Sequence, residues 1–342
     1  MLLRRPIWRS RPPPDAAGAL PRALSPRPAD PGDRFTCMLD EQPSYLVPER
    51  LLPIDPEGPL VVSPDAWLSW LPERPAWAGE HELSPDPSPG ADSIGVRDPA
   101  SSVPSSFTIG PALRRALGDL RPGDPAPPDL SPRHRSLLAA AGALVRPGEQ
   151  SPREALWREE AAEAARAFQA RGFAPLPALL HPFHLGAMRL HARRLVRTGR
   201  MQLGDSGDPR RYVLHNEPQA ALYHRRLTPV VEAIAGVPVK PSYVYLTSYQ
   251  SGAELRAHSD RAQCEISVTL LLDFTPEPEG ASPWPLHLET EEGRVTISQR
   301  IGDALLYRGR RFVHHRAKLP AGMTSTSILF HYVDRDFDGP LD

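Results

Sequence analysis

Residues 249–260 read YQSGAELRAHSD and contain two of the side chains on which the interpretation of this chain depends. His258 and Asp260 stand two positions apart, and side chains alternate along a strand, so an extended segment here points both to the same side. A second imidazole follows at His314. Two imidazoles and one carboxylate are the ligand set that holds divalent iron on one face and leaves the opposite face open. The stretch therefore predicts a metal site.

The sequence around this stretch has the composition of short β-strands. Six segments are rich in aromatic and β-branched residues and are separated by turn-forming residues: 242–249, 266–272, 285–288, 294–297, 304–307 and 327–333. Before them, alanine-rich and amphipathic patterns predict helices over 155–171, 182–196 and 218–235. Helices followed by many short strands predict an α+β protein whose core is a double-stranded β-helix, or jelly roll, backed by helices.

Proline divides the chain unevenly. Of the 43 prolines, 28 precede residue 151, and proline breaks both helices and strands. We therefore predict a proline-rich, partly ordered N-terminal arm over residues 1–130, a helical support region over 131–236 and the jelly-roll core over 237–342.

Charge and cysteine content favour neither a nucleic-acid or membrane partner nor a disulfide framework. The 40 basic and 41 acidic residues leave a net charge of -1, which provides no electrostatic reason to expect nucleic acid or an anionic membrane as partner. No run approaches the roughly 18 apolar residues of a membrane span, and the first residues lack the apolar core of a secretion signal. Cys37 and Cys264 have no metal-type spacing and predict no disulfide framework. We expect a cytoplasmic protein; composition does not determine its oligomeric state.

Four motifs lie between residues 249 and 333: Tyr249-x-x-Gly252-x-x-Leu255-x-x-His258-x-Asp260, the segment 301–309 that begins Ile301-Gly302-Asp303, His314-His315-Arg316, and Phe330-His331-Tyr332-Val333. Together they resemble the iron(II)- and 2-oxoglutarate-dependent dioxygenases, in particular their prolyl-4-hydroxylase-like branch. The resemblance covers roughly residues 155–342 and is specific over 240–333. In the family pattern a variable residue and then an arginine follow the distal histidine, which assigns the ligand to His314 rather than to His315.

The resemblance implies an oxidative reaction. Iron(II) would be held by His258, Asp260 and His314, with 2-oxoglutarate and O2 as co-substrates and ascorbate as an accompanying reductant. The family hydroxylates an unactivated C–H bond and releases succinate and CO2. Halogenating relatives have Gly or Ala where Asp260 stands, so this residue favours hydroxylation. The expected substrate is a peptide, a protein or a small molecule.

The residues that would anchor 2-oxoglutarate depart from the family pattern. In many relatives a basic residue binds the distal carboxylate, at the position that Thr324 occupies here, and we predict that the hydroxyls of Thr324 and Thr326 contribute to this site instead. Arg316 has the same strand parity as His314, and its guanidinium suits a carboxylate. Tyr243 or Tyr245, on an earlier strand, would donate a hydroxyl to the same group.

Two alternatives use the same residues differently. The chain could be a non-catalytic jelly roll that binds metal weakly, with a proline-rich arm that recruits a partner through segments such as Pro12-Pro13-Pro14. The replacement of the expected base by Thr324 supports this interpretation. A zinc hydrolase would share the ligand types, but no general base is evident beside them.

Overall fold

The computed structural model describes residues 37–40, 46–47, 58–73, 91–97, 103–148 and 152–342, so that the Pro12-Pro13-Pro14 segment lies outside the described residues. The helices are Pro111–Leu117 (α1), Pro132–Ala140 (α2), Pro152–Arg171 (α3), Pro182–Arg197 (α4) and Pro218–Ala235 (α5). Each of these helices begins at a proline, whose fixed φ and missing N–H suit the first helical turn. In the part of the chain that the structure describes, no helix is long and apolar enough to cross a membrane.

The strands before the jelly roll are short. They are Val61–Val62 (β1), Trp67–Leu68 (β2), Ser93–Arg97 (β3), Pro104–Thr108 (β4), Leu144–Val145 (β5), Phe173–Leu176 (β6), Gln202–Leu203 (β7) and Arg211–His215 (β8). Eight strands follow after α5: Val239–Tyr249 (β9), Leu255–His258 (β10), Ile266–Thr275 (β11), Leu286–Thr290 (β12), Gly293–Ile297 (β13), Ala304–Tyr307 (β14), Val313–Arg316 (β15) and Thr324–Asp334 (β16).

Strands β9 to β16 confirm the predicted jelly roll. The major sheet has the order β6-β14-β11-β16-β9-β8-β7 and the minor sheet the order β10-β15-β12-β13, and all pairs between neighbouring strands are antiparallel. The chain alternates between the two sheets from β9 to β12, and again from β13 to β16. Such alternation, with two sheets facing each other, defines a double-stranded β-helix.

Alternate side chains of the major sheet serve two different interfaces. Ala304 and Leu306 belong to the large apolar cluster that the sheet shares with the helices, whereas Leu305 and Tyr307 belong to a smaller cluster between the two sheets. Neighbouring residues of one strand point to opposite faces, so position parity decides which side a residue serves. We call these two sides the helix-facing side and the interior of the jelly roll.

A buried ion pair joins the helices to the sheet. Arg189 of α4 is fully buried and donates from Nε and Nη2 to Asp273 Oδ1 of β11, at 3.0 and 2.8 Å. Arg193, one turn later, donates to Asp273 Oδ2 at 2.6 Å. The carboxylate is buried between two guanidinium groups, which marks this position of β11 as helix-facing.

Two features extend beyond the predicted plan. Strands β6, β7 and β8, within the region predicted as helical, lengthen the major sheet by pairing on β14, β8 and β9. Strands β2, β3 and β4 form a sheet whose Phe107 is fully buried in the same apolar cluster as α4 and α5. Arg226 of α5 donates to the Pro104 carbonyl at 3.0 Å. The described parts of residues 37–130 thus share a core with the helices; the domain boundaries at 130 and 236 stay predictions.

Candidate metal centre

The minor sheet brings together two histidines that are far apart in the sequence. His258 ends β10, His314 lies in β15, and the two are directly paired across these neighbouring strands. Their ring centroids are 4.4 Å apart. Asp260 lies two residues beyond the end of β10, and its N–H donates to the Gly309 carbonyl at 3.0 Å. The local i, i+2 pair and the distant histidine therefore meet at one end of the jelly roll.

The three side chains have the spacing of metal ligands. Asp260 Oδ1 is 3.8 Å from His258 Nε2 and 3.6 Å from His314 Nε2. Ligand atoms about 2.1 Å from one ion, in neighbouring octahedral positions, are about 3 Å apart. These two distances exceed that spacing by less than about 1 Å, and all three ligand atoms lie within 4.8 Å of one another. One imidazole nitrogen of each histidine and one carboxylate oxygen thus form a fitting donor set.

The backbone fixes which nitrogen of each imidazole is available. His258 Nδ1 is 2.7 Å from the Arg256 carbonyl, and His314 Nδ1 is 3.1 Å from the Phe312 carbonyl. Because a carbonyl can only accept, each Nδ1 carries a proton, so that in the neutral imidazole it is Nε2 that offers a lone pair. Burial lowers the pKa of His314 and so favours the neutral imidazole that a metal requires.

The neighbouring histidine points out of the site. His315 Nε2 lies 3.1 Å from Glu289 Oε1, and its ring stacks on His287 at a centroid distance of 5.0 Å. His314 is only 2% exposed. Strand alternation therefore turns His314 towards Asp260, where it could complete a metal site, and leaves His315 on the outer face of the minor sheet.

The Asp260 carboxylate packs against the backbone of a glycine, Gly309. A Cβ on Gly309 would overlap Asp260 Oδ2 and would also stand 2.6 Å from the Cys264 carbonyl oxygen and 2.7 Å from Ser267 Oγ. All three contacts are far inside van der Waals distance. The absence of a side chain at Gly309 is thus a condition for the position of the carboxylate.

We expect Gly309→Ala to weaken divalent-metal binding by about tenfold or more, because the added methyl group displaces Asp260. Overpacking of this kind also costs about 1–3 kcal/mol of unfolding free energy. Gly280→Ala is the matched control, since nothing lies within 4 Å of its Cβ and it needs no positive φ. Calorimetric titration of both variants with Mn²⁺ checks the effect; equal affinities would show that the glycine is not needed.

A cation without a carboxylate partner lies deeper in the jelly roll. Arg316 follows His314 by two positions on β15, is 7% exposed and donates to the Trp284 carbonyl and, at 3.1 Å, to Gln299 Oε1. Its guanidinium also lies 4.9 Å from the Trp284 ring centroid. Within the described ranges no carboxylate pairs with it. Burial lowers the pKa of Arg316 to about 10, so it still carries its charge at neutral pH.

Three hydroxyl groups face the same interior. Thr247 and Tyr249 are two positions apart on β9 and therefore point to the same side of the sheet. Ser325 of β16 is paired with Tyr249, and the ring centroids of Tyr249 and Trp284 are 4.9 Å apart. The hydroxyls of Thr247 and Ser325 are buried and have no hydrogen-bond partner in the structure. The Tyr249 hydroxyl accepts from Arg211 at 3.0 Å, which leaves its own proton free to donate. Thr247 and Tyr249 were missed from the sequence as candidates for this interior, although the parity of β9 was a signal for them, whereas Ser325 is one of the hydroxyl residues that follow Thr324.

Two tyrosines predicted to bind the co-substrate are engaged elsewhere. The Tyr243 hydroxyl is 3.0 Å from Cys264 Sγ and accepts from Arg261 Nε at 3.2 Å. The Tyr245 hydroxyl donates to Asp205 at 2.7 Å. Both rings lie on the same face of β9 as Tyr249. Co-substrate binding by Tyr243 or Tyr245 stays a prediction, and Tyr249 on the same strand is a further candidate.

The two predicted threonines lie on the helix-facing side of the sheet. Thr326 of β16 donates to Ser248 Oγ at 2.9 Å and is paired with Asp273, whose carboxylate binds Arg189 on the helix-facing side. Thr324 shares the parity of Thr326. Because side chains alternate along β16, both residues lie on the helix-facing side of the sheet, and their role in binding the co-substrate stays a prediction.

Comparison with protein-family models and with curated proteins finds no match. Among solved structures, the chain is similar to a prolyl-4-hydroxylase of Pseudomonas putida, at 16% identity and a TM-score of 0.43, covering 51% of this chain and 99% of that one. It is similar to AviO1 of Streptomyces viridochromogenes, at 21% identity and a TM-score of 0.43, covering 52% and 97%. HygX of Streptomyces hygroscopicus, solved with nickel, 2-oxoglutarate and hygromycin B, matches at 15% identity and a TM-score of 0.40, covering 51% and 88%.

Proposed function

We propose that this protein is an iron(II)- and 2-oxoglutarate-dependent oxygenase that hydroxylates a C–H bond of a peptide, a protein or a small molecule and releases succinate and CO2. The observation that carries the proposal is the combination of two features in one jelly roll. A His-Asp-His donor set lies at one end, and the buried, carboxylate-free guanidinium of Arg316 lies deeper in the same interior.

The donor set suits iron(II) by number and type. His258 Nε2, Asp260 Oδ1 and His314 Nε2 would occupy one face of the ion and leave the opposite face for small ligands. When bound, the iron would activate O2, the oxidant, and 2-oxoglutarate would supply two electrons as it is decarboxylated to succinate. The chain itself orients the imidazoles through their Nδ1 protons and excludes water through the packed interior.

The interior suits 2-oxoglutarate by charge and length. Two positions along a strand span about 7 Å, so Arg316 lies about that far from His314 along β15. A five-carbon dicarboxylate with one end at the metal extends far enough to meet the guanidinium. Its distal carboxylate would gain a charge-assisted hydrogen bond from Arg316 and neutral ones from Tyr249, Thr247 and Ser325.

The non-catalytic alternative loses its main support. It depended on the missing base at Thr324, which lies on the helix-facing parity of β16. Arg316 provides the cation instead, from a different strand. A buried, unpaired guanidinium is costly for stability, and a role in binding a carboxylate accounts for that cost.

Succinate formation tests the proposal. Purified full-length protein, supplied with iron(II), ascorbate and 2-oxoglutarate, is expected to release succinate above the protein-free rate. His258→Ala should abolish the release, because two ligands hold the ion far more weakly than three. His287→Ala serves as the matched control, because it removes an imidazole that lies on the outer face of the minor sheet; this variant should retain activity. Equal release by His258→Ala and wild-type protein would refute the proposal.

A further inference from the structure

The second oxygen of Asp260 is held by a chain of two buried side chains. Ser267 Oγ donates to Asp260 Oδ2 at 2.8 Å, and His331 Nδ1 lies 2.9 Å from Ser267 Oγ. Ser267 is 1% exposed and His331 is 6% exposed. The two are directly paired on the adjacent strands β11 and β16. Two hydrogen bonds therefore connect the centre of the major sheet to the Asp260 carboxylate.

The direction of this chain follows from the chemistry of its ends. An ionised carboxylate only accepts hydrogen bonds, so the Ser267 hydroxyl gives its proton to Asp260. The same oxygen must then accept from His331, which requires a proton on Nδ1. Each hydrogen bond in the sequence from His331 to Ser267 to Asp260 thus has a defined donor.

We propose that Ser267 and His331 are positioning residues that keep Asp260 a ligand through one oxygen only. With Oδ2 engaged by Ser267, Oδ1 alone faces the nitrogens of His258 and His314. A carboxylate that turned to bind through both oxygens would occupy a fourth coordination position. That position is needed if 2-oxoglutarate takes two sites and O2 a third, so the inference rests on the proposed function.

A rival interpretation gives two of these side chains a different role. Asp260, Cys264 and His331 also present ligand-type atoms within 4.8 Å of one another, as a metal-binding set would. Their hydrogen bonds favour the positioning role, because Cys264 Sγ contacts the Tyr243 hydroxyl at 3.0 Å and His331 Nδ1 is engaged by Ser267. Cys264→Ser therefore serves as a control that should leave metal affinity unchanged.

The test is a titration with Mn²⁺, a redox-stable substitute for iron(II), without turnover. Ser267→Ala and His331→Leu are expected to raise the Mn²⁺ dissociation constant by about 10- to 100-fold, the usual effect of removing a partner of a metal ligand. His331→Asn should stay within about threefold of wild type, because its amide N–H stands where Nδ1–H stood and can donate to Ser267. A merely structural role would not distinguish Asn from Leu.

The outcomes separate this inference from the proposed function. If His314→Ala binds Mn²⁺ as tightly as wild type, the metal centre itself is refuted. If His314→Ala loses the ion while Ser267→Ala and His331→Leu retain it, the positioning role alone is refuted. Thermal unfolding of the metal-free variants controls for folding, and Ser267→Ala, the smaller change, carries the test if His331→Leu does not fold.

Discussion

Replacing His314 with alanine is expected to abolish metal binding and succinate formation, whereas His315→Ala should leave both close to wild type. The two histidines are neighbours of identical chemistry, so the pair isolates the effect of orientation. His314 is buried and its Nε2 faces Asp260, while His315 contacts Glu289 on the outer face of the minor sheet. Loss of one of three ligands removes the chelate geometry that holds the ion.

Calorimetric titration with Mn²⁺ and a succinate assay with iron(II) measure the two effects. His314→Ala is expected to show no detectable binding at concentrations that saturate the wild type. The reverse result, with His315→Ala inactive and His314→Ala active, would mean that the register of β15 against β10 is shifted by one residue. Such a shift exchanges the inner and outer faces of the strand.

The second large effect is expected at Arg316. Arg316→Met should raise the dissociation constant for 2-oxoglutarate by about 30-fold or more. Truncating one partner of a buried, hydrogen-bonded charge pair costs about 2–5 kcal/mol, and about 1.4 kcal/mol corresponds to a factor of ten. Arg316→Lys should recover part of this loss, because an ammonium keeps the charge but cannot reproduce the planar guanidinium fork.

Stability distinguishes a binding role from a structural one. Arg316→Met removes a buried cation that lacks a carboxylate partner, but it leaves the Trp284 carbonyl and the Gln299 amide oxygen without their donor. These effects oppose each other, since burial of an unpaired charge is costly and each lost partner costs about 1–3 kcal/mol. We expect the unfolding free energy of the ligand-free protein to change by less than about 2 kcal/mol.

The measurements are titrations of Mn²⁺-loaded protein with 2-oxoglutarate and with N-oxalylglycine, its inert mimic, together with chemical unfolding of the ligand-free protein. Unchanged affinity in Arg316→Met would exclude this residue as the anchor. A large loss of stability with unchanged affinity would assign Arg316 to the core instead. Retained Mn²⁺ binding in the variant is the control that the metal centre is intact.

One pair of the predicted metal triad depends on a short-range rule. His258 and Asp260 are two positions apart, and side chains two positions apart in an extended segment point to one side. The choice of His314 over His315 rested on the resemblance of the motif, and burial in the structure agrees with it. The succession of helices and then strands likewise predicted the jelly roll and its supporting helices.

The co-substrate anchor was predicted only in part because it depends on how distant strands align. Arg316 was predicted from its parity with His314 on one strand, and the structure shows it buried in the same interior. Thr326 was assigned from its position in the chain, and the pairing of β16 with β11 turns it towards the helices. Ser325, its neighbour, faces the interior with its hydroxyl unpartnered. One position along a strand was enough to change the face.

The sequence by itself determined the donor types, the spacing of His258 and Asp260, and the order of helices and strands, since all are properties of short segments. Only the tertiary structure decided which hydroxyls share the interior with Arg316. It also decided that Ser267 and His331 support Asp260, and that Gly309 makes room for it. The physical reason is register: contacts between strands far apart in the chain depend on how each strand aligns with its neighbours, which no local pattern encodes.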